Sequence, residues 1–208
     1  MARVVAIHPD SPQPRLLVQA AEFVRRGDLV ALPTDSGYAL VCHLGDKEAL
    51  ERIRLIRQID ERHHLTLLTR DLAQIAHFAR VDNSQYRLLK ATTPGSYTFI
   101  LEGTKELPRR VMHPKRKTIG LRVPDHPVAQ GLLAELGEPL LTTTLQLPGD
   151  DAPLTEGWEI AERLDEQIEL ILDCGHCTAE STTVIDLTGR TPELIRAGRG
   201  SLTPFGLA

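Results

Sequence analysis

Aromatic residues are scarce in this chain, at 4% of 208 residues, so Leu, Ile, Val and Ala must carry the packing of its core. No apolar run approaches the roughly 18 residues needed to cross a bilayer. Met1-Ala-Arg-Val-Val-Ala-Ile-His8 is too short and too soon polar for a secretory signal, so the expectation is a cytoplasmic protein with no membrane partner. Cys42, Cys174 and Cys177 are an odd, scattered set, which excludes a secreted disulfide framework. Also missing are a Gly-x-x-x-x-Gly-Lys-Ser/Thr loop and a Gly-x-Gly-x-x-Gly opening a helix after a strand. Any nucleotide must therefore be held by another design.

Hydrophobic residues at 41% and charged residues at 25% are ordinary for a globular chain. The length suits one large domain over 1–208, and no repeat or long linker divides it. The net charge of -4 conceals an asymmetry. Between Lys105 and Arg122 seven cations stand against Glu106 alone, a local sum of +6, whereas from Asp150 to Glu193 twelve acids face Arg163 and Arg190. One part of the surface can attract polyanions while the whole stays acidic.

The periodicity predicts strands over Arg3 to His8, Asp28 to Leu32, Tyr38 to His43, Leu65 to Thr69, Tyr97 to Leu101, Thr118 to Val123, Leu140 to Leu145, Ile168 to Asp173, Thr183 to Leu187 and Glu193 to Arg196. Helices are expected over Pro14 to Arg26, Asp46 to Gln58, Asp71 to Ala79, Asn83 to Thr92 and Glu156 to Asp165. A further helix is capped by Asp125, carries Pro127 in its first turn and closes at Gly137. Strands outnumber helices without alternating with them, so the fold class is α+β with a twisted, mixed β-sheet.

The stretch Val30-Ala-Leu-Pro-Thr-Asp-Ser-Gly-Tyr-Ala-Leu40 is an apolar strand that breaks at Pro33 and Thr34 into a polar turn, the kind of strand end where binding residues collect. Pro94-Gly-Ser-Tyr-Thr-Phe-Ile-Leu101, Thr118-Ile-Gly-Leu-Arg-Val-Pro124, Thr182-Thr-Val-Ile-Asp186 and Ile195-Arg-Ala-Gly198 follow in order. Together they resemble the YrdC/YciO family of threonylcarbamoyl-AMP synthases and relatives, with the YciO branch nearest. The resemblance covers nearly the whole chain. It implies a single domain whose twisted sheet forms a concave cavity flanked by helices, and an activity that joins threonine, bicarbonate and ATP into threonylcarbamoyl-AMP and pyrophosphate for tRNA modification. Mg²⁺ would be brought in with the ATP.

The resemblance assigns Thr34, Arg122 and Thr182 to the threonine substrate. Arg57, Thr118, Thr144, Gln146 and Arg196 fall on its nucleotide side. Thr118, Gly120 and Arg122 alternate along one strand and therefore share a face, and a guanidinium fork suits a carboxylate. Two departures matter. A Lys-x-Arg pair of the synthases reads Arg57-Gln58-Ile59 here, and a Ser-x-Asn pair reads Thr144-Leu145-Gln146. Ile59 deletes a phosphate-binding charge, a loss of about 1.5–3 kcal/mol, which Arg62 or His63 could replace in part. The competing reading is a double-stranded RNA or ribosomal RNA binder with little chemistry, using Arg109, Arg110, Lys115, Arg116 and Lys117 as phosphate contacts.

Cys174-Gly175-His176-Cys177 has the spacing of a thiol–disulfide oxidoreductase. That chemistry needs its first Cys at a helix N-terminus, and the residues after Cys177 are turn-like and then β-branched, which predicts a strand. With His176 the pair still leaves a zinc ligand unidentified.

Overall fold

In chain order the elements are β1 (Arg3–Ala6), α1 (Pro14–Arg25), β2 (Val30–Thr34), β3 (Gly37–His43), α2 (Lys47–Arg57), β4 (Thr66–Leu68), α3 (Leu72–Phe78), α4 (Asn83–Thr92), β5 (Tyr97–Glu102), β6 (Thr118–Arg122), α5 (Pro127–Leu136), β7 (Leu140–Thr144), α6 (Gly157–Leu164), β8 (Leu170–Asp173), β9 (Thr183–Asp186) and β10 (Glu193–Arg196). They come from a computed structural model that describes residues 1–207. The strands join one mixed sheet in the order β1-β8-β2-β3-β7-β4-β6-β5-β9-β10. Neighbours β1/β8, β2/β8, β4/β6 and β5/β9 are parallel and the others antiparallel, so the expected α+β class holds.

Local chemistry sets the helix starts. Asp46, Asp71 and Asp82 each accept a backbone N–H in the first turn of α2, α3 and α4, and Asp82 with Gln85 completes a reciprocal box. The cap of α5 differs from the expected one. His126, the residue directly before Pro127, accepts the Val128 N–H on its Nδ1, which leaves Asp125 one residue outside the helix, its N–H donating to the Asp35 carboxylate. The strand β2 also runs past its expected end at Leu32 to Thr34. It pairs with β8 only through Val30 and Ala31, so by Pro33 one side of the strand is free and a missing N–H is tolerated.

Alternation along the strands sorts the side chains into two unequal faces. One face carries Leu29, Ala31, Leu40, Cys42, Leu67, Phe99, Leu101, Ile119, Leu121, Leu141, Ile171 and Ile185 in the larger core, with Leu50 and Ile53 of α2, Ile75 of α3, Leu89 of α4 and Ile160 of α6 packed on it. The other face is covered only where α1 and α5 lie, over Val30, Leu32, Val41, Leu68, Leu140, Leu170 and Leu172. Those two helices approach closely because α5 has Gly131 at the crossing, where a Cβ would meet Leu17 Cδ1 at 2.6 Å. The remainder of that face is lined by polar side chains and forms a cavity. Leu121→Ala, on the covered face, is expected to cost about 2–5 kcal/mol in urea unfolding. Thr144→Ala, on the open one, should cost less than about 1 kcal/mol; equal losses would contradict this division of the sheet.

Candidate functional site

The cavity encloses about 520 Å³. Its floor is set by cross-strand register: Thr142 pairs with Thr66, Thr66 with Gly120, and Gly120 with Ile100. Gly120 is required here, since a Cβ would meet Thr66 Oγ1 at 2.8 Å and Thr98 Cγ2 at 3.2 Å. Threonine suits such a floor because its branch favours the strand while its hydroxyl faces the cavity.

Around this floor stand Thr34, Ser36, Arg62, His63, His64, Arg122, Thr144, Thr182 and Arg196. Five of the residues assigned from the sequence (Thr34, Arg122, Thr144, Thr182 and Arg196) are therefore brought together. Three sit differently. Thr118 is buried at the start of β6 with its hydroxyl 3.1 Å from His64 Nε2, so it supports a wall residue. Arg57 stands at the edge, its Nε donating to Thr143 Oγ1 at 3.5 Å. Gln146 turns away and donates to the Asp150 carbonyl at 2.8 Å, because the loop after β7 needs that bond to close on itself. The Thr34 hydroxyl is also partly committed. It donates to the Gly37 carbonyl at 2.7 Å and accepts the Ser36 N–H, closing the β2–β3 turn that Gly37 makes possible at φ +100°.

The residue that organises this turn is Asp35, which the assignment from motifs passed over. Its carboxylate forms an ion pair with Arg122 and accepts from the Ser96 hydroxyl at 2.6 Å and the Asp125 N–H at 3.2 Å. Arg199 donates to the Asp35 carbonyl at 2.6 Å. Side-chain exposure is 8% for Arg122 and 10% for Asp35. Burial alone would push the Asp35 carboxyl up; the charge of Arg122 and the hydrogen bonds from Ser96 and Arg122 outweigh it and hold the carboxyl below its usual range. Arg122 Nε and Thr142 Oγ1 are both buried in the cavity wall without a hydrogen-bond partner among the described residues. Such groups call for one from outside the fold.

Electrostatics follow from this arrangement. No carboxylate lines the cavity among the described residues, whereas Arg62, Arg122 and Arg196 do. Burial lowers the pKa of Arg57 and Arg196, and Arg196 is held by the Thr182 carbonyl and hydroxyl at 3.1 and 3.4 Å. His63 is pushed below the usual imidazole value first by desolvation against the wall, then by Arg57 and Arg196. His64, stacked on His113 at 4.9 Å, is lowered by desolvation and by His113. Both imidazoles are thus neutral at pH 7, and the charge facing the cavity belongs to the arginines.

The basic segment forms only a 3-10 turn, at Arg109–Val111. Leu107 and Val111 anchor it in the core. Arg109, Arg110, Lys115, Arg116 and Lys117 are exposed. Arg110 nevertheless donates to the Gly45 carbonyl, and Arg116 lies 3.6 Å from Asp186. Arg122 is buried beneath the cavity, so it does not belong to the surface run that its place in the sequence implied.

The family model Sua5_yciO_yrdC, described as telomere recombination, matches residues 22–198. The chain belongs to the Sua5/YciO/YrdC family. The YciO protein of Escherichia coli is 52% identical over 205 residues, spanning 99% of this chain and 100% of that one, and its crystal structure matches with a TM-score of 0.96. A threonylcarbamoyl-AMP synthase of Vibrio vulnificus is 29% identical over 185 residues, 88% of this chain and 98% of that protein. Sua5 of Pyrococcus abyssi, crystallised with L-threonine, matches at 27% identity with a TM-score of 0.87, over 95% of this chain and 58% of its own. The YciO likeness is end to end, and the synthase likeness is more distant.

In this family member the Asp35–Arg122 pair stabilises the fold above the usual carboxylate value of 3.8. The contribution disappears as pH falls through the lower folded-state value. Asp35→Asn leaves a buried guanidinium uncompensated and should cost about 3–5 kcal/mol at pH 7, against about 1 kcal/mol for Ser96→Ala. Urea unfolding between pH 7 and pH 3 should show the wild type converging on Asp35→Asn at the acid end. A constant gap across that range would refute the pairing.

Proposed function

We propose that the cavity binds L-threonine and ATP and forms threonylcarbamoyl-AMP slowly. The observation that carries this reading is the convergence of Arg62, Arg122 and Arg196 on a carboxylate-free cavity, with Arg57 at its edge, where only Arg122 has an ion-pair partner among the described residues. Anions are what such a site accepts. The threonine carboxylate takes Arg122 through the donor left over from Asp35, next to the Thr34 turn and the Thr182 hydroxyl. The triphosphate takes Arg196, Arg62 and Arg57, with Thr144 beside them.

The reaction needs no strong base. A carboxylate oxygen of threonylcarbamate, made from threonine and bicarbonate, attacks the α-phosphorus, and the bond from that phosphorus to the bridging oxygen of pyrophosphate breaks. The protein's work is to hold two anions in line and neutralise the leaving group. Hydroxyls are the side-chain oxygens lining the cavity, so no carboxylate cage would hold Mg²⁺, which would come with the triphosphate and supply charge neutralisation there. Slowness follows from the departures. Ile59 is packed against the core and offers no charge, and Gln146 is tied to Asp150. Arg62 and His63 fill only part of the gap, and His63 contributes no charge at pH 7.

Titration calorimetry should show L-threonine binding weakened roughly tenfold to a hundredfold in Arg122→Lys, which keeps the charge facing Asp35 but loses the fork. Arg196→Ala should weaken ATP·Mg²⁺ by a similar factor, and pyrophosphate release should rise in Ile59→Arg with Gln146→Asn. Unchanged affinities in both single variants would sink the assignment.

A second reading rests on a different observation, the exposed cations of the anchored segment from Lys105 to Lys117. Structured RNA bound there would be held through phosphates, each contributing a slope of about -0.7 to -0.9 in log affinity against log salt. Replacing Arg109, Arg110, Lys115, Arg116 and Lys117 by Gln should flatten that slope while leaving threonine binding intact. Equal RNA affinity at low salt in both proteins would leave the segment as a solvated rim.

A further inference from the structure

Two thiols meet behind the cavity wall. Cys174 Sγ and Cys177 Sγ lie 3.6 Å apart, both as free cysteines, and Gly175 at φ +85° supplies the left-handed turn that folds the four residues back on themselves. Cys174 is only partly buried, whereas Cys177 is 6% exposed. The loop is pinned from three sides. The Tyr38 hydroxyl accepts the Cys174 N–H at 3.3 Å and donates to the Gly175 carbonyl at 2.9 Å, the Gly175 N–H donates to Asp173 Oδ1 at 2.9 Å, and the Cys177 N–H donates to the Thr155 carbonyl at 2.9 Å. Residues 174–182 contain no helix, which removes the oxidoreductase architecture that the spacing suggested. What remains is an accessible thiol with a buried one at contact distance.

The chemistry around the pair is directional. Either sulfur can donate in the Sγ–Sγ contact; the contact holds the Cys174 thiol low, and with desolvation it holds the more deeply buried Cys177 thiol high. His126 adds to the first effect. Its Nδ1 already accepts the Val128 N–H, so the ring proton sits on Nε2, free to donate. Cys42, by contrast, is buried and pushed up to about 12 by desolvation.

We propose that Cys174 and Cys177 are a reversible disulfide modification site, with Cys174 the attacking thiol and Cys177 the resolving one, reacting with low-molecular-weight disulfides. In the first step the Cys174 thiolate attacks one sulfur of RSSR, whose S–S bond breaks to release RS⁻ and leave a Cys174–S–SR mixed disulfide. The Cys177 thiol then gives up its proton and attacks the Cys174 sulfur, expelling the second RS⁻. The two cysteines lose two protons and two electrons, and RSSR is reduced to two RSH. The site adjoins the cavity through Tyr38, which lines it, and through Thr178, whose carbonyl oxygen would stand 2.8 Å from a Cβ built on Gly37.

The test uses the full chain, reduced, exposed to oxidised glutathione, quenched by alkylation and weighed by mass spectrometry. The wild type should lose two hydrogens and yield a cross-linked Cys174–Cys177 peptide that dithiothreitol reverses, with Cys42 alkylated only after denaturation. Cys177→Ser should stop at one glutathione adduct on Cys174, and Cys174→Ser should react at least about tenfold more slowly. Timed alkylation of the reduced wild type, which needs no variant, should label Cys174 before Cys177. A stable single adduct on the wild type, no reaction in the folded chain, the reverse labelling order, or a stoichiometric zinc ion that blocks oxidation would each overturn the proposal.

Discussion

The buried ion pair between Asp35 and Arg122 is the constraint around which the cavity is organised. A guanidinium on the open face of a strand, 8% exposed, is tolerable only with a charged partner. Asp35 supplies the charge, and its position in a two-residue turn between β2 and β3 then fixes that turn. The same carboxylate collects Ser96 ahead of β5 and the Asp125 N–H ahead of α5, while Arg199 takes its carbonyl. Segments from Asp35 to Arg199 thus converge on one residue. The pair consumes one face of the guanidinium and leaves Nε unpartnered, so the interaction that stabilises the wall also prepares it to receive a second anion.

The location of the cavity follows from unequal helix coverage. Four helices close one face of the sheet over the larger core, while α1 and α5 cover only part of the other. An uncovered stretch of sheet cannot remain apolar without inviting association, and here its inward positions are Thr34, Thr66, Thr98, Thr142 and Thr144. Threonine meets two demands at once: its branched Cβ keeps the strand, and its hydroxyl keeps the surface wet.

Much of this was legible in the sequence. The alternation Thr118, Gly120, Arg122 placed the three on one face, and the β-branched run after Cys177 signalled a strand. What could not be read were contacts between segments far apart in the chain. Asp35 lies in the quoted turn motif, yet nothing local distinguishes a carboxylate that caps a turn from one that pairs with an arginine 87 residues away. The cap of α5 shows a one-residue offset: Asp125 has the better intrinsic preference, but the helix opens at Pro127 and His126 directly before it fills the role, while the Asp125 N–H goes to Asp35. Gln146 was assigned by motif position, and its amide is claimed by Asp150 four residues on. Local competition for a hydrogen bond overrode motif position there.

The arginines show why function is more legible in the structure than in the motifs. Arg57 and Arg196 each bear a desolvation cost, visible as a lowered pKa, without an ion-pair partner among the described residues. In a structure selected for stability alone such charges would be paired or swung into water. Arg196 is instead tethered by Thr182, and Arg57 rests on Thr143. Each is held in place by neutral oxygens that fix direction without neutralising charge. That arrangement raises the energy of the unliganded state and would be relieved by an anion, which is how the proposed phosphate and carboxylate ligands would gain affinity from a cost borne in the free protein. The lost charge at Ile59 weakens this field without reversing its sign, because Arg62 enters the cavity from the adjoining loop. Affinity for the anions depends on the total charge, whereas in-line transfer depends on where each charge sits. Under the proposed function, a cavity that keeps the first and shifts the second retains its ligands more readily than its rate.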